Sequence, residues 1–186
     1  MFRDISKRKK LESDLKYQAY YDSLTDLYKR NYFREFFSQT LNHSKRQNLS
    51  LAIMYLDVDY FKQVNDSFGH DVGDLLLKQF AQRLKNCVKK RDCLARWGGD
   101  EFVILLVDVI SIEQVMVVAD RIKKSMNNPF ICDGTTVNTS TSIGIAIFPD
   151  HANTVDDLLK RADNALYETK RKGRNGYTVY GYKQRK

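Results

Sequence analysis

The sequence has little of several things that commonly set a fold or a function. Cysteine is scarce: three in 186 residues. Cys87, Cys93 and Cys132 are odd in number and stand at no metal-binding spacing. That excludes a disulfide framework or a zinc module and predicts reduced thiols, two of them buried, in a cytosolic protein. Histidine is equally rare, with three residues. His70 sits in a loop-like stretch with no second histidine at metal spacing, so it is read as a cap or a packing residue. Only two prolines interrupt the chain, Pro129 and Pro149, both beside strand-like runs. No apolar run approaches membrane-spanning length, and the N-terminus is too charged for a signal peptide. Internal repeats and low-complexity tracts are also absent. Acid is in deficit, with 23 Asp and Glu against 31 Lys and Arg, a net charge of +8. A basic balance suits phosphate-bearing partners. Some of it lies at the chain ends, Lys7-Arg8-Lys9-Lys10 and Lys183-Gln184-Arg185-Lys186, where a solvated tail explains it.

Against this ordinary composition one stretch stands out: Arg96-Trp97-Gly98-Gly99-Asp100-Glu101-Phe102, then the apolar run Val103 to Val107. Adjacent glycines between strand-like runs predict a two-residue hairpin with positive φ at both central positions. Two carboxylates follow the turn. Bare Gly-Gly backbone lets a phosphate approach closely, and carboxylate oxygen suits Mg²⁺. In isolation two solvated acids on a surface hairpin would be the better reading.

Leu51 to Asp59 is the best first core strand. It is almost wholly apolar, hence predicted to be covered on both faces, and it ends in two acids. Asp57 and Asp59 share a face by parity. A carboxylate at the end of a buried strand is costly unless paired or metal-bound, which points to Asp57 as functional. Asp59 is read as a cap for the next helix. If this strand neighbours the hairpin, Asp57 and Asp100 converge on one metal.

The remaining elements follow from periodicity. Asp22-Ser23 are placed as caps for a helix through Tyr32, Phe33 and Phe36-Phe37. Residues 60–66 form a short helical turn, and residues 67–74 a glycine-punctuated polar loop. A helix then carries Val72, Leu75, Leu76, Phe80, Ala81, Leu84 and Val88 on one stripe. Another spans about Ile112 to Met126. Pro129 to Cys132 is a short strand, Asp133-Gly134 a turn, and Val137 to Ile147 one long strand. Thr154-Val155-Asp156-Asp157 opens a final helix with a near capping box, closed by Lys170-Arg171-Lys172-Gly173. Thr178 to Tyr180 is a last strand. Hairpin pairing and single crossover helices predict an α/β (α+β) fold: a mixed, largely antiparallel sheet with helices on its faces. Residues 22–182 form the domain, and 183–186 a basic tail. Residues 1–21 form a leader in which Leu11, Leu15 and Ala19 make a narrow stripe suited to helix pairing.

Arg96-Trp97-Gly98-Gly99-Asp100-Glu101-Phe102 resembles the signature of the GGDEF family, the diguanylate cyclases. The likeness extends in order through Asp22-Ser23-Leu24-Thr25-Asp26-Leu27, Asp57 to Asp74, Ser142-Ile143-Gly144-Ile145-Ala146 and Ala162 to Asn175. It therefore covers roughly Asp22 to Tyr180. Residues 2–12 resemble the exit of a PAS sensor domain leading into a connecting helix, which implies an upstream sensor.

The resemblance implies an enzyme that joins two GTP into cyclic di-GMP on a sheet like the palm of nucleotidyl cyclases. On that likeness Asp57, the Val58 carbonyl, Asp100 and Glu101 hold Mg²⁺ or Mn²⁺. Asp57, Asp100 and Glu101 carry catalysis, with Glu101 helping to deprotonate the ribose 3′-hydroxyl. Asn65 and Asp74 read the guanine edge. Amides near Tyr60, Phe61 and Lys62, with Lys170 and Arg174, take the β- and γ-phosphates, and Gly98 and Gly99 lie against the triphosphate. Lys170 and Arg174 share one helical face if their helix runs through Arg174. Two domains face each other as a homodimer. A cytoplasmic location is implied, with no nucleic-acid partner and no membrane contact by this segment, while a membrane anchor elsewhere in a longer protein is compatible. The family's inhibitory product site, Arg-x-x-Asp, is degenerate here: Lys89-Lys90-Arg91-Asp92 keeps the acid and loses the arginine. Lysine lacks the planar fork of arginine, so weak product inhibition is expected. A nucleotide-sensing module without catalysis and a basic nucleic-acid-binding domain are the two alternatives. The intact acidic cluster argues against both.

Overall fold

A computed structural model describes residue 15 and residues 17–182. The PAS-like stretch, Leu11 and the basic tail lie outside the described residues. Leu15 and residues 17–20 are helical and exposed. The elements that follow, in order, are β1 (Tyr28–Lys29), α1 (Arg30–Gln47), β2 (Ser50–Val58), α2 (Phe61–Phe68) and α3 (His70–Cys87). Then come β3 (Cys93–Gly98), β4 (Glu101–Val109), α4 (Ile112–Met126), β5 (Phe130–Cys132) and β6 (Thr135–Val137). The chain closes with β7 (Thr141–Phe148), α5 (Val155–Arg171) and β8 (Gly176–Val179). Six strands form one sheet in the order β1-β3-β4-β2-β7-β8, and β5 and β6 form a separate hairpin. Both outer pairs, β1 with β3 and β7 with β8, are parallel, and every inner pair is antiparallel. The mixed, largely antiparallel architecture read from the sequence is the one observed.

Strand parity sorts the core into two layers. Ala52, Met54, Leu56 and Val58 of β2 face α3 and α4, packing with Leu76, Phe80, Ala119 and Ile122. Leu51, Ile53 and Tyr55 face the other way, against Phe33 and Phe37 of α1 and Leu158, Ala162 and Leu166 of α5. A strand covered on both faces has no room for alternation, which is why β2 reads as a continuous apolar run. Asp57 is odd-numbered and therefore lies on the α1/α5 face.

Several expectations need correction. The helix expected directly after Asp22-Ser23 begins only at Arg30. Asp22 instead closes a turn, accepting from the Thr25 amide at 2.9 Å and its hydroxyl at 2.7 Å. The polar loop at 67–74 is almost all helix: α2 ends at Phe68, α3 starts at His70, and Gly69 alone connects them, at φ +86°. Glycine tolerates that positive φ, so a stretch rich in loop residues needs only one non-helical position. Residues 137–147 are two strands in different sheets, β6 and β7. The last helix stops at Arg171, and Arg174 has left it at φ +63°. Lys170 and Arg174 therefore do not share a helical face. All three cysteines are buried, one more than expected.

Gly144 shows how tightly α5 sits on the sheet. A methyl there would stand 2.0 Å from the Ala162 carbonyl oxygen and 2.2 Å from the Leu166 nitrogen. Neither backbone atom can rotate away. Gly144→Ala is expected to destabilise the protein by about 3 kcal/mol or more, at the upper end for overpacking. Urea unfolding monitored by circular dichroism measures it, and an unchanged midpoint would refute the close approach.

Candidate active site

The site is built at one end of the central strands. β2 and β4 pair so that Asp57 stands opposite Glu101, with Tyr55 opposite Val103. Tyr55, Asp57 and Glu101 share the α1/α5 face. The Tyr55 hydroxyl donates to Glu101 Oε2 at 3.3 Å. Burial, and then the Glu101 charge, push the Tyr55 phenol well above its ordinary range. Between β3 and β4 the chain turns at Gly99-Asp100, because Gly98 already pairs with Glu101. Only Gly99 has positive φ, at +48°. The expected turn centred on Gly98-Gly99, with both residues at positive φ, is thus displaced by one position, and a register irregularity between Arg96 and Gly98 absorbs the difference. The displacement puts Asp100 in the turn itself. Its carbonyl accepts from the Val58 amide at 3.2 Å, so the turn is fastened to the end of β2.

Arg96 fixes the same turn from the other side. Its Nε and Nη2 donate to the Gly99 carbonyl at 3.0 and 2.7 Å. Its Nη1 donates to Asp22 at 3.1 Å, in an ion pair that is mostly shielded from solvent. A forked guanidinium can serve both partners, which a lysine could not. Burial opposes ionisation of Asp22, but the hydrogen bonds from Thr25 and the Arg96 charge outweigh it and hold the carboxyl below its usual range.

Asp57 is nearly buried and pairs with Lys170 of α5, Oδ2 to Nζ 2.7 Å. Burial is the main cause that pushes its carboxyl up, to about 6. The Lys170 hydrogen bond and charge pull it down, and the nearby Asp100 and Asp59 charges push it further up. The cluster therefore holds more negative charge than one lysine neutralises. Among the described residues no three His, Cys, Asp or Glu side chains are gathered tightly enough to hold a metal ion by themselves. The chemistry of the donors nevertheless fits a hard cation: carboxylate oxygens, an adjacent backbone, and a carboxyl whose ionisation is opposed by burial and by the neighbouring acids.

Asp59 overturns its reading as a helix cap. It is fully buried and makes no side-chain cap to α2. Its carboxylate accepts from Ser140 Oγ at 2.5 Å, Ser142 Oγ at 2.7 Å and the Asn175 amide at 3.1 Å. Thr139 Oγ1 donates to its carbonyl at 2.6 Å. Asp59 thus ties the end of β2 to the start of β7 and to the loop after α5 that carries Arg174. Its partners lie 80 or more residues away, beyond any local sequence signal. Tyr60 follows at φ +59°, with its ring exposed, and the Arg174 guanidinium lies 4.9 Å from that ring's centroid. Arg174 therefore reaches the N-terminus of α2 although it is not on α5. Phe61 is half-buried against the core, and Lys62 is exposed. Asn65 on α2 and Asp74 on α3 flank the Gly69 corner, Asp74 exposed and Asn65 half-buried.

With this geometry in view the comparisons are decisive. A family model described as diguanylate cyclase, GGDEF domain, matches residues 19–176. The chain belongs to the GGDEF family. Diguanylate cyclase TpbB of Pseudomonas aeruginosa is 41% identical over 163 residues, covering 87% of this chain and 38% of that protein. Cyclic di-GMP phosphodiesterase NbdA, also of Pseudomonas aeruginosa, is 38% identical, covering 88% of this chain and 21% of that protein. The chain thus spans well under half the length of these curated relatives. A solved structure of the GGDEF domain of TpbB superposes with a TM-score of 0.84 at 40% identity, covering 86% of this chain and 94% of that one.

The segment Lys89 to Asp92, expected from the sequence to be a degenerate product site, is held by its own hydrogen bonds and by an ion pair. Asp92 Oδ2 accepts from the Lys89 amide at 2.8 Å, and Oδ1 from the Val107 amide at 3.2 Å. Both oxygens of the expected acceptor for a guanine edge are engaged by backbone. Arg91 is turned to Asp108 at 3.0 Å.

Asp59 yields a prediction independent of turnover. Asp59→Ala strands the buried Ser142 hydroxyl, the half-buried Ser140 hydroxyl and the Asn175 amide. It is expected to cost roughly 2–4 kcal/mol, read by chemical unfolding. A loss below about 0.5 kcal/mol, the range of an ordinary surface substitution, would contradict the clamp.

Proposed function

We propose that this chain is the catalytic domain of a diguanylate cyclase, which condenses two GTP into cyclic di-GMP and releases two pyrophosphates. The observation that carries the reading is the register of β2 on β4. It sets Asp57 opposite Glu101 beside the Asp100 turn, with Lys170 at hydrogen-bonding distance from Asp57. In each of two equivalent steps, a ribose 3′-oxygen bonds to the α-phosphorus of the other GTP. The bond from that phosphorus to the pyrophosphate oxygen breaks, and the hydroxyl proton leaves to a base. Such a reaction needs positioning and charge neutralisation more than covalent help from the protein.

Asp57, the Val58 carbonyl, Asp100 and Glu101 would hold Mg²⁺ or Mn²⁺, which would supply charge neutralisation at the phosphates. Glu101, which accepts from the Tyr55 hydroxyl, would receive the 3′-hydroxyl proton. Lys170, paired with Asp57, and Arg174, against the Tyr60 ring at the α2 N-terminus, would offer cations for the β- and γ-phosphates, which the first amides of that helix around Tyr60, Phe61 and Lys62 also suit. Gly98 and Gly99 are exposed and leave the hairpin open to the triphosphate. Asn65 and Asp74 supply acceptors and donors for the guanine edge. One domain offers one such site, so the product requires two domains face to face. The exposed leader around Leu15 is a place to set that pairing. A sensor domain upstream of this chain would supply the input that controls it.

A second reading is favoured by one comparison: NbdA is named a phosphodiesterase. On that reading this domain binds nucleotide without turning it over. Incubation with GTP and Mg²⁺, followed by chromatography, separates the two. Cyclic di-GMP is expected, with specific activity rising with protein concentration and ATP turned over far less than GTP. Asp100→Asn is expected to reduce product formation by roughly a hundredfold or more with the fold intact. GTP binding without product would favour the second reading. A cyclic di-GMP titration is expected to inhibit weakly, and Lys89→Arg to strengthen the inhibition. Tight inhibition lost in Lys89→Ala would show that the lysine serves.

A further inference from the structure

Gly73 stands inside α3 with ordinary helical backbone, and its amide donates to the Gly69 carbonyl at 3.2 Å. Nothing in the main chain calls for glycine there, and alanine is the better helix former. The reason lies in the neighbouring helix. A methyl on Gly73 would stand 1.9 Å from Asn65 Oδ1 and 3.1 Å from Asn65 Cγ, with Phe61 Cζ at 3.3 Å. The Asn65 amide is laid directly over the bare Gly73 backbone. Its Oδ1 is also a buried side-chain atom with no hydrogen-bond partner among the described residues. No hydrogen bond to Oδ1 sets the amide's position, so shape does.

We infer that Gly73 is a positioning residue for base recognition: its missing side chain is the slot that fixes the Asn65 amide in the corner between α2 and α3. The inference rests on the reading of Asn65 and Asp74 as the guanine-facing pair. The slot matters because an amide has a donor end and an acceptor end, and guanine is told from adenine by which end meets which edge. A methyl fixed to a helix backbone cannot yield at 1.9 Å, so the amide must leave. Asp74 is the next residue on α3, and it stays where it is. One substitution at 73 therefore removes one member of the recognising pair without touching its side chain.

The test uses GDP, ADP and IDP with Mg²⁺ as probes of base recognition that do not depend on turnover. Calorimetric titrations are made on the original chain, Gly73→Ala, Asn65→Ala and the double variant, with thermal unfolding of each. The original chain is expected to prefer GDP. Gly73→Ala should lose roughly tenfold in GDP affinity, and its preference over ADP and IDP should fall to that of Asn65→Ala. In the Asn65→Ala background the added Gly73→Ala should leave binding unchanged and raise the unfolding temperature, because the Asn65 clash is gone, the Phe61 ring edge at 3.3 Å need give only slightly, and the helix propensity remains. Full GDP affinity and preference in Gly73→Ala would overturn the inference. So would an equal loss in both backgrounds, which would make the glycine act apart from Asn65. An original chain that binds all three diphosphates alike would defeat the guanine reading itself, and this inference with it.

Discussion

The antiparallel register of β2 against β4 is the constraint on which the site depends. Setting Asp57 opposite Glu101 leaves a two-residue turn that places Asp100 at the end of β2. A slip of one residue would send Asp57 and Tyr55 to the α3/α4 face, into a wholly apolar layer. Both faces of β2 are apolar, so what forbids that slip is the cost of burying the Asp57 carboxylate away from Lys170. The same parity that builds the core thus gathers the acids on the side where α5 brings Lys170. Burial then makes the charge consequential. Asp57 resists ionisation because water is excluded and Asp100 and Asp59 crowd it, and a single lysine offsets only part of this.

Around that register the chain uses polar struts between elements distant in sequence. Asp59 gathers two hydroxyls and an amide in a fully buried position, which spares it the penalty of an unpaired buried charge. Arg96 joins the turn at Gly99 to Asp22, one residue past the point where the leader meets the domain. Both struts end on backbone that borders the acids, so the acidic end is held from β7, from the loop after α5 and from the leader's exit. The Gly144 and Gly73 contacts show the complementary device, in which a side chain is left out so that another element can come close.

Much of this was legible in the sequence. The doubly covered β2, the hairpin, the long α3 stripe, α4 and the capped α5 all follow from periodicity and end signals, which are local. The acids at Asp57 and Asp100 were legible because a carboxylate at the end of a buried strand, or beside adjacent glycines, is an anomaly that local chemistry must explain. Misreadings arose where local signals compete with packing. The residues around Gly69 and Gly73 look like a loop because glycine is a breaker, yet Gly73 is helical and its glycine answers a neighbour. Asp22 looks like a helix cap and Asp59 like another, because an acid before a helix usually is one.

What the sequence determined by itself is the inventory of its strongly patterned segments: the doubly covered β2, the hairpin and the amphipathic α3, α4 and α5, with the apolar face of each. These depend on neighbours a few positions apart. Only the tertiary structure decided that β2 lies between β4 and β7, that Lys170 meets Asp57 while Arg174 leaves its helix to reach Tyr60, and that Asp92 is engaged by the Lys89 and Val107 amides. It also decided that Asp59 is a buried clamp. Apart from the local contact of Asp92 with the Lys89 amide, these pairings join residues brought together only when the sheet closes. Asp57 and Asp59, which along the chain look like ordinary solvated charges, are buried there, and the partners that the fold brings to them offset the cost of excluding water.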